Sequence, residues 1–155
     1  MADRARTIFL VKLLEGETRL LLDSILRKYG YTTAQYTVMS VIENSRTPYS
    51  SAGLARRLRI TPQSANETVA SLDGRRLLLR KPDPSNARVR LIALSAKGRA
   101  VLADLDRQVG EAETRMMDVL TEDELKTFRE QLRRIVTASR SWGGKGQEAS
   151  TKVRR

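Results

Sequence analysis

Residues 50–94 read SSAGLARRLRITPQSANETVASLDGRRLLLRKPDPSNARVRLIAL, and this segment is the most informative about the fold. Its apolar residues are spaced for two short helices, and two strand-like runs follow around a turn-rich loop, 82–86. Thr61 and Pro62 mark the start of the second helix, because proline suits the first helical position and threonine caps free N–H groups. The order predicts helix, short turn, helix and basic hairpin.

The second helix has one apolar face and one polar face. Ala65, Val69 and Leu72 recur at helical spacing and are predicted to face inward. The polar face and its flanks carry Gln63, Ser64, Asn66, Glu67 and Ser71. Glutamine and asparagine can pair with adenine, and glutamate can accept a hydrogen bond from cytosine, so this face is suited to base edges. The alternative is that these polar residues are simply solvated.

The hairpin carries the basic side chains Arg80, Lys81, Arg88 and Arg90. Arg88 falls near the predicted tip, where a guanidinium fits the narrow, negative minor groove of A·T-rich DNA. The other three are better suited to phosphates, which supply affinity without reading sequence. A solvated run of charges is the alternative, but the helix that precedes it favours a winged helix-turn-helix that binds double-stranded DNA.

The charge of the chain is concentrated in its middle. The formal net charge is +11, and residues 46–97 contribute eleven basic and three acidic side chains. Residues 1–45 and 99–142 are almost neutral, while 143–155 add four basic residues and one acidic residue. Because a uniformly solvated surface would not segregate its charge, this pattern indicates a polyanionic partner.

Composition excludes several other functions. The chain has no cysteine and no histidine, so thiol redox sensing, a thiolate zinc site and the usual general base are absent, and we expect no metal and no cofactor. The acidic residues are scattered along predicted helix surfaces and form no convergent cluster, which argues against an enzyme. No signal peptide or membrane span is indicated, so we expect a cytoplasmic protein.

The remaining sequence predicts a mainly α fold with a small β-hairpin wing. Helices are expected over about 3–28 and 33–44, strands over 77–81 and 89–94, and a long helix from Ser95. Thr121 to Glu124 is a capping box that begins the last helix. The first helix has apolar residues on more than one face, which predicts packing against something beyond its own domain. Residues 143–155 are predicted to be a disordered basic tail.

Residues from Tyr31 to about Ala100 resemble the multiple-antibiotic-resistance-regulator (MarR) family of bacterial transcription factors. The similar segments are AQYTV at 34–38, LARRL at 54–58, TPQS at 61–64, RKPDPSNAR at 80–88 and LSAKG at 94–98. The order and spacing of these segments together, rather than any one of them, carry the resemblance.

The resemblance implies a homodimeric transcriptional regulator, and we expect it to act as a repressor. Residues 31–98 would form the DNA-binding domain, and 1–30 and 99–142 would supply intertwined dimerisation helices. The helix 61–73 would enter the major groove, and the wing 82–88 would lie at the minor groove of a pseudo-palindromic operator. The alternative function is a sequence-indifferent DNA-coating or architectural protein, which the basic tail favours slightly.

Three positions depart from the family pattern. Asn86 stands where the family commonly has an aspartate two residues before the wing arginine, so no ion pair can hold Arg88 there. Arg59 occupies a position in the turn between the two helices that is often glycine. Ala96 replaces the acidic residue that usually follows the wing. None of these changes removes the fold.

Many members of the family are released from DNA by a small aromatic acid or drug. The resemblance places a corresponding pocket among segments that contain Arg19, Tyr29, Tyr31, Tyr36 and Met39. The alternative is that these side chains serve only core and interface packing. We therefore expect a small aromatic effector, and packing without any ligand remains the alternative.

Overall fold

The computed structural model describes the backbone of residues 6–152 and the side chains of 6–86 and 88–139. Within these residues the fold is mainly α with one antiparallel hairpin, as predicted. The elements are α1 (Thr7–Lys28), α2 (Thr33–Glu43), α3 (Ser51–Leu58), α4 (Pro62–Gly74), β1 (Leu78–Asp83), β2 (Asn86–Leu94), α5 (Ala96–Met117) and α6 (Glu122–Lys152).

Side-chain caps begin the two helices of the predicted helix-turn-helix. The hydroxyl of Ser50 accepts a hydrogen bond from the Gly53 N–H at 3.1 Å, and Thr61 accepts one from the Ser64 N–H at 3.1 Å. These bonds satisfy N–H groups that the first helical turn leaves free. The predicted starts of α3 and α4 are therefore confirmed.

The hydrophobic core lies where α1, α2, α3, α4, the hairpin and α5 meet. Ala65, Val69 and Leu72 are at most 1% exposed, which confirms the predicted inward face of α4. The largest fully buried side chains are Leu26, Met39, Leu54, Leu72, Leu77, Ile92, Leu94 and Leu105. Burial of such side chains stabilises a fold by roughly 1.5–3 kcal/mol each.

The hairpin is longer than the sequence predicted. The loop 82–86 was expected to separate the strands, but only Pro84 and Ser85 lie between β1 and β2. Proline is tolerated at position 82 because β1 is an edge strand and needs no second hydrogen-bonding partner. On the other side of β2, the Ile92 N–H donates to the Tyr49 carbonyl at 2.8 Å, which joins the hairpin to the segment before α3.

The start of α5 is fixed against the end of α4 and the start of β1. The Ser95 N–H donates to the Leu77 carbonyl at 2.9 Å, and the Ser95 hydroxyl donates to the Arg76 carbonyl at 2.9 Å. A Cβ atom at Gly98 would collide with the Leu77 carbonyl oxygen. Because only glycine permits this approach, the three elements meet in one tight joint, here called the α5 joint.

Two compact units divide the chain within α5, between Ala112 and Glu113. This division differs from the predicted boundaries at 30/31 and 98/99, and the dimerisation role of the flanking helices stays a prediction. In the second unit, the predicted capping box is present, since the Thr121 N–H donates to Glu124 Oε2 at 2.8 Å. This bond and one from the Thr121 hydroxyl lower the pKa of Glu124.

The end of α6 differs from the expectation of a disordered tail over 143–155. The helix continues to Lys152, and residues 153–155 lie outside the described part of the chain. The role of this segment stays a prediction.

Candidate nucleic-acid interface

The outer face of α4 is exposed along its length. All five predicted reading residues (Gln63, Ser64, Asn66, Glu67 and Ser71) are exposed. Their helix is held from behind by its buried apolar face. The structure therefore brings suitable polar side chains to one surface of a rigid element, where they can meet a nucleic acid.

Hydrogen bonds organise the first turns of this face. The Gln63 amide Nε2 donates to Glu67 Oε1 at 2.9 Å, one helical turn away. The Thr61 hydroxyl donates to Ser64 Oγ at 2.8 Å, which leaves the Ser64 hydroxyl able to donate its own proton. The amide oxygen of Gln63 also remains an acceptor, so both side chains retain capacity for base edges.

Ser71 is engaged elsewhere in the motif. Its hydroxyl accepts a hydrogen bond from Gln35 Nε2 of α2 at 2.8 Å. Ser71 also lies eight residues beyond Gln63, about 12 Å along the helix axis. The bond gives Ser71 a structural contribution, since it joins the end of α4 to α2, and its predicted base contact stays a prediction.

The wing arginine lies on a strand rather than in the loop. Strand pairing steps from Pro82↔Arg90 to Asp83↔Asn86, which places residues 87–89 in a bulge of β2. Arg88 sits in this bulge with its side chain exposed. Its backbone N–H donates to Asn86 Oδ1 at 3.1 Å. Asn86 therefore holds the backbone of Arg88, in place of an ion pair with the guanidinium.

The tip of the wing is stabilised by a carboxylate. Asp83 Oδ1 accepts hydrogen bonds from the Ser85 hydroxyl at 2.7 Å and from the Ser85 N–H at 2.8 Å. These bonds lower the pKa of Asp83, the side-chain bond most strongly, because they favour the charged form. A local bond network thus fixes the short turn that precedes Arg88.

The other basic residues of the wing differ in their availability. Arg80 Nε lies 2.9 Å from Asp73 Oδ2, so this predicted phosphate contact is engaged in an ion pair with the last turn of α4. Lys81 and Arg90 are exposed, and within the described side chains neither forms an ion pair. Lys81, Arg88 and Arg90 are the wing cations best placed to meet a polyanion.

The predicted effector residues do not gather at one place. Met39 is fully buried in the core, whereas Arg19 is exposed on α1, with Nε 3.9 Å from Glu15 Oε1. Tyr29 is 46% exposed. The ring of Tyr31 lies under the Arg75 guanidinium, 3.8 Å from its centroid. For Met39 and Tyr31 these contacts agree with the packing alternative.

Tyr36 differs from the other four because it lines a cleft. The cleft has a volume of about 410 Å³. It is lined by Tyr36, Thr37, Ser40, Val41, Asn44, Ser45, Tyr49 and Arg57. The Ser40 hydroxyl is buried and has no hydrogen-bond partner among the described residues. The Tyr36 hydroxyl donates to Asp106 Oδ1 of α5 at 2.7 Å.

Sequence reasoning missed the residues that fix the predicted ones. Asp73 pairs with Arg80, and Gln35 donates a hydrogen bond to Ser71. The Arg75 guanidinium lies over the ring of Tyr31, and Arg75 Nη1 donates to the Gly30 carbonyl at 2.8 Å. Asp73 could have been found, because it is one of three acidic residues in the basic segment 46–97. Periodicity within one helix gives no signal for the other two, since their partners lie on different elements.

The described part of the chain contains neither a candidate metal site nor a candidate membrane-spanning helix. No group of three or more histidine, cysteine, aspartate or glutamate side chains there could hold a metal ion. None of the helices described has the length and apolar character needed to cross a membrane.

The fold and the exposed surface define a winged helix-turn-helix. A capped second helix presents polar side chains to solvent, and a hairpin with unpaired cations follows directly in sequence. In proteins of this class the second helix reads the major groove.

Comparison with known proteins agrees with this class. The family model described as "MarR family" matches residues 29–89. The HTH-type transcriptional repressor Rv2887 of Mycobacterium tuberculosis is 26% identical over 135 residues, which cover 87% of this chain and 96% of the relative. Its crystal structure in complex with salicylic acid has a TM-score of 0.70 at 26% identity, covering 87% of this chain and 99% of that chain.

A second solved structure supports the fold. Wild-type MarR of E. coli in its apo form has a TM-score of 0.75 at 21% identity, covering 86% of this chain and 98% of that chain. The match to the MarR family model covers residues 29–89, and over most of its length the chain is similar to relatives named as HTH-type transcriptional repressors. The family consists of regulators rather than enzymes.

Proposed function

We propose that this protein represses transcription as a homodimer bound to a pseudo-palindromic operator. In each subunit α4 enters the major groove, and the wing of β1 and β2 lies at the adjacent minor groove. Two such lobes would meet half-sites about one helical turn apart, roughly 34–36 Å centre to centre. Occupation of the operator would then exclude other proteins from the same DNA.

The observation that carries this proposal is the pairing of two exposed surfaces in one motif. The outer face of α4 offers Gln63, Asn66 and Glu67, which can read base edges, while Arg88 and Arg90 offer positive charge on the wing. Base readers alone would give little affinity, and cations alone would give little specificity. Together they meet both requirements of a regulator.

Enrichment of bound sequences from random duplexes tests the proposal directly. We expect a motif with two-fold symmetry, bound at least roughly 10³-fold more tightly than random DNA at the same salt concentration. Equal binding to all duplexes would instead support the alternative of a DNA-coating protein. An enriched motif without symmetry would contradict the paired-lobe arrangement.

Two variants separate reading from anchoring on the enriched duplex. Gln63→Ala should change the preferred base at one position in each half-site, by roughly 1–3 kcal/mol of discrimination, because a bidentate contact is lost. Arg88→Ala should weaken binding to all sequences that share the same A·T content beside the half-site. If Gln63→Ala weakens binding to every single-base variant equally, Gln63 is not a base reader.

The proposed dimer accounts for the apolar residues that α1 leaves exposed. Ile8 is 73% exposed, Phe9 55% and Leu20 63%. Large apolar side chains clustered on one helix are a typical sign of a protein interface. On α6, Ile135 and Val136 are also at least half exposed. We propose that both helices pack against a second copy of the chain.

The cleft beside α2 is the proposed effector site. Its volume of about 410 Å³ lies in the range of small-molecule sites. The buried Ser40 hydroxyl can donate to a carboxylate, Arg57 supplies positive charge, and Tyr36 and Tyr49 supply aromatic surface. An aromatic acid, as the salicylic acid complex of the relative suggests, fits this lining. We expect it to weaken operator binding.

Salicylate, with cyclohexanecarboxylate as a non-aromatic control, tests the effector site. We expect salicylate to release the selected duplex and Ser40→Ala to raise the concentration required by about tenfold, because one hydrogen bond to a charged group is lost. Ser40→Ala should leave affinity for DNA unchanged in the absence of salicylate. An unchanged salicylate response in this variant would contradict the assignment of the cleft.

We further propose that the protein acts in the cytoplasm and is not an enzyme.

A further inference from the structure

Two residues hold an uncommon backbone conformation on either side of α4. Among the described residues other than glycine, only Arg59 and Arg76 have positive φ, at 56° and 60°. Both therefore lie in the left-handed region, where a side chain is disfavoured. Glycine or asparagine would adopt the same conformation more easily. The folding of the motif thus does not explain why arginine occupies either position.

Arg59 lies in the turn that leads into α4. It ends α3 with φ 56° and ψ 40°, and its N–H donates to the Ala55 carbonyl. Two residues later, Thr61 caps α4. In helix-turn-helix proteins the first helix crosses the DNA backbone and the second helix enters the groove with its N-terminal residues. The turn between them is accordingly closest to the phosphates at the edge of that groove.

The charge of Arg59 is free to meet such a phosphate. Its side chain is exposed and takes part in no ion pair or side-chain hydrogen bond among the described residues. The sequence from 44 to 66 contains four arginines and no acidic residue. No neighbouring carboxylate in that segment can neutralise the guanidinium, in contrast to Arg80, which is paired with Asp73.

We propose that Arg59 is a DNA-contacting residue that binds a backbone phosphate beside the groove entered by α4, once in each subunit. The phosphate contact strengthens DNA binding, whereas the left-handed backbone at Arg59 lowers the stability of the fold. The inference rests on the proposed function and assigns a phosphate contact that the wing and the reading face do not include. It predicts opposite effects of one substitution on stability and on DNA affinity.

Arg76 provides a matched control within the same chain. It is also an exposed arginine with positive φ, but it follows α4 rather than preceding it. Because α4 has thirteen residues, Arg76 lies about 20 Å along the helix axis from its start. Its carbonyl accepts a hydrogen bond from the Ser95 hydroxyl in the α5 joint. Arg76→Gly should therefore relax the backbone without removing a phosphate contact.

The experiment compares Arg59→Gly, Arg59→Lys and Arg76→Gly on a duplex selected from random sequence by the wild-type protein. Arg59→Gly should raise the thermal midpoint by about 1–4 °C. It should also weaken binding by roughly 5- to 50-fold and reduce the salt slope, log Kobs against log[salt], by about 1.8 for two lost contacts. Arg59→Lys should recover most of the affinity and the slope. Arg76→Gly should bind within about twofold of wild type.

Either of two results would overturn the inference. One is binding by Arg59→Gly within twofold of wild type, with an unchanged salt slope. The other is an Arg59→Lys variant that binds no better than Arg59→Gly, because charge would then be irrelevant at this position. A wild-type protein that selects no motif would instead refute the proposed function, so the two failures are distinguishable. The raised midpoint excludes misfolding as the cause of lost affinity.

Discussion

The winged lobe (α2 to β2, residues 33–94) and the helix α1 differ in how far their apolar residues are buried. In the lobe, Leu54, Leu72 and Ile92 are at most 1% exposed. On α1, Leu26 is fully buried at the end that meets the lobe, but Ile8 and Leu20 are more than 60% exposed. The helix α1 is richer in apolar residues than the winged segment, so a shortage of apolar side chains does not explain the contrast. The difference indicates that the lobe completes its core alone, whereas α1 needs a further surface.

The largest expected effect lies inside the lobe. Leu72→Ala should lower the free energy of unfolding by about 2–5 kcal/mol, because it leaves a cavity under α4. The matched control is Leu79→Ala, the same change at a side chain 47% exposed on β1. Chemical denaturation of both variants measures the difference. An equal decrease in the free energy of unfolding of both variants would contradict the proposed difference between buried and exposed leucines.

The next effect concerns α1 and its proposed partner. Phe9→Asp should weaken self-association by at least about tenfold, since a charge would be buried in the proposed interface. Sedimentation over a range of concentrations gives the dissociation constant. Glu17→Lys, at an exposed polar position of the same helix, is the control and should change it little. A wild-type protein that remains monomeric at all concentrations would show that α1 needs no second copy.

A smaller effect distinguishes the helix starts of the two regions. Thr61→Ala removes the cap of α4 and should destabilise the whole lobe by about 1 kcal/mol. Thr121→Ala removes the capping box of α6 and should increase hydrogen exchange only in the first turn of that helix. Exchange measured residue by residue separates the two outcomes. Faster exchange throughout the lobe in Thr121→Ala would contradict independent behaviour of the two units.

The smallest effect is the pH dependence of the wing. The pKa of Asp83 is lowered by its bonds with Ser85, so its stabilising contribution is present above the ordinary aspartate pKa of about 3.9 and is lost as the pH falls through the lowered value. The stability difference between wild type and Asp83→Ala should shrink as the pH falls from 7 to 3. A difference that stays constant over this range would contradict the contribution of the charged form.

Prediction from the sequence succeeded where one element carries its own signal. The spacing of Ala65, Val69 and Leu72 gave the buried face of α4, and Thr61 with Pro62 gave its start. Hydrophobic period and capping are local properties, so they can be read without knowledge of the neighbouring elements. The helix-turn-helix and its polar outer face followed from these two signals.

Prediction was less successful where residues from different elements meet. The wing strands extend beyond the predicted 77–81 and 89–94 because pairing continues up to the short turn at Pro84 and Ser85. Arg80 was expected to contact phosphate, and its ion pair with Asp73 on α4 was not predicted. The left-handed backbone at Arg59 is likewise a property of the turn geometry, which the residue type alone argues against. Such features depend on tertiary structure.

The α5 joint connects the reading helix α4 to the first turn of α5 through a short, closely packed segment. Gly98 lies against Leu77, and Ser95 is bonded to both Leu77 and Arg76, so the segment that follows α4 is fixed to the start of α5. In a dimer, the spacing of the two reading helices would then be a rigid property. One extra base pair between half-sites would rotate one half-site by about 35° and shift it by about 3.4 Å. Two reading helices held at a fixed spacing could then not both fit their half-sites.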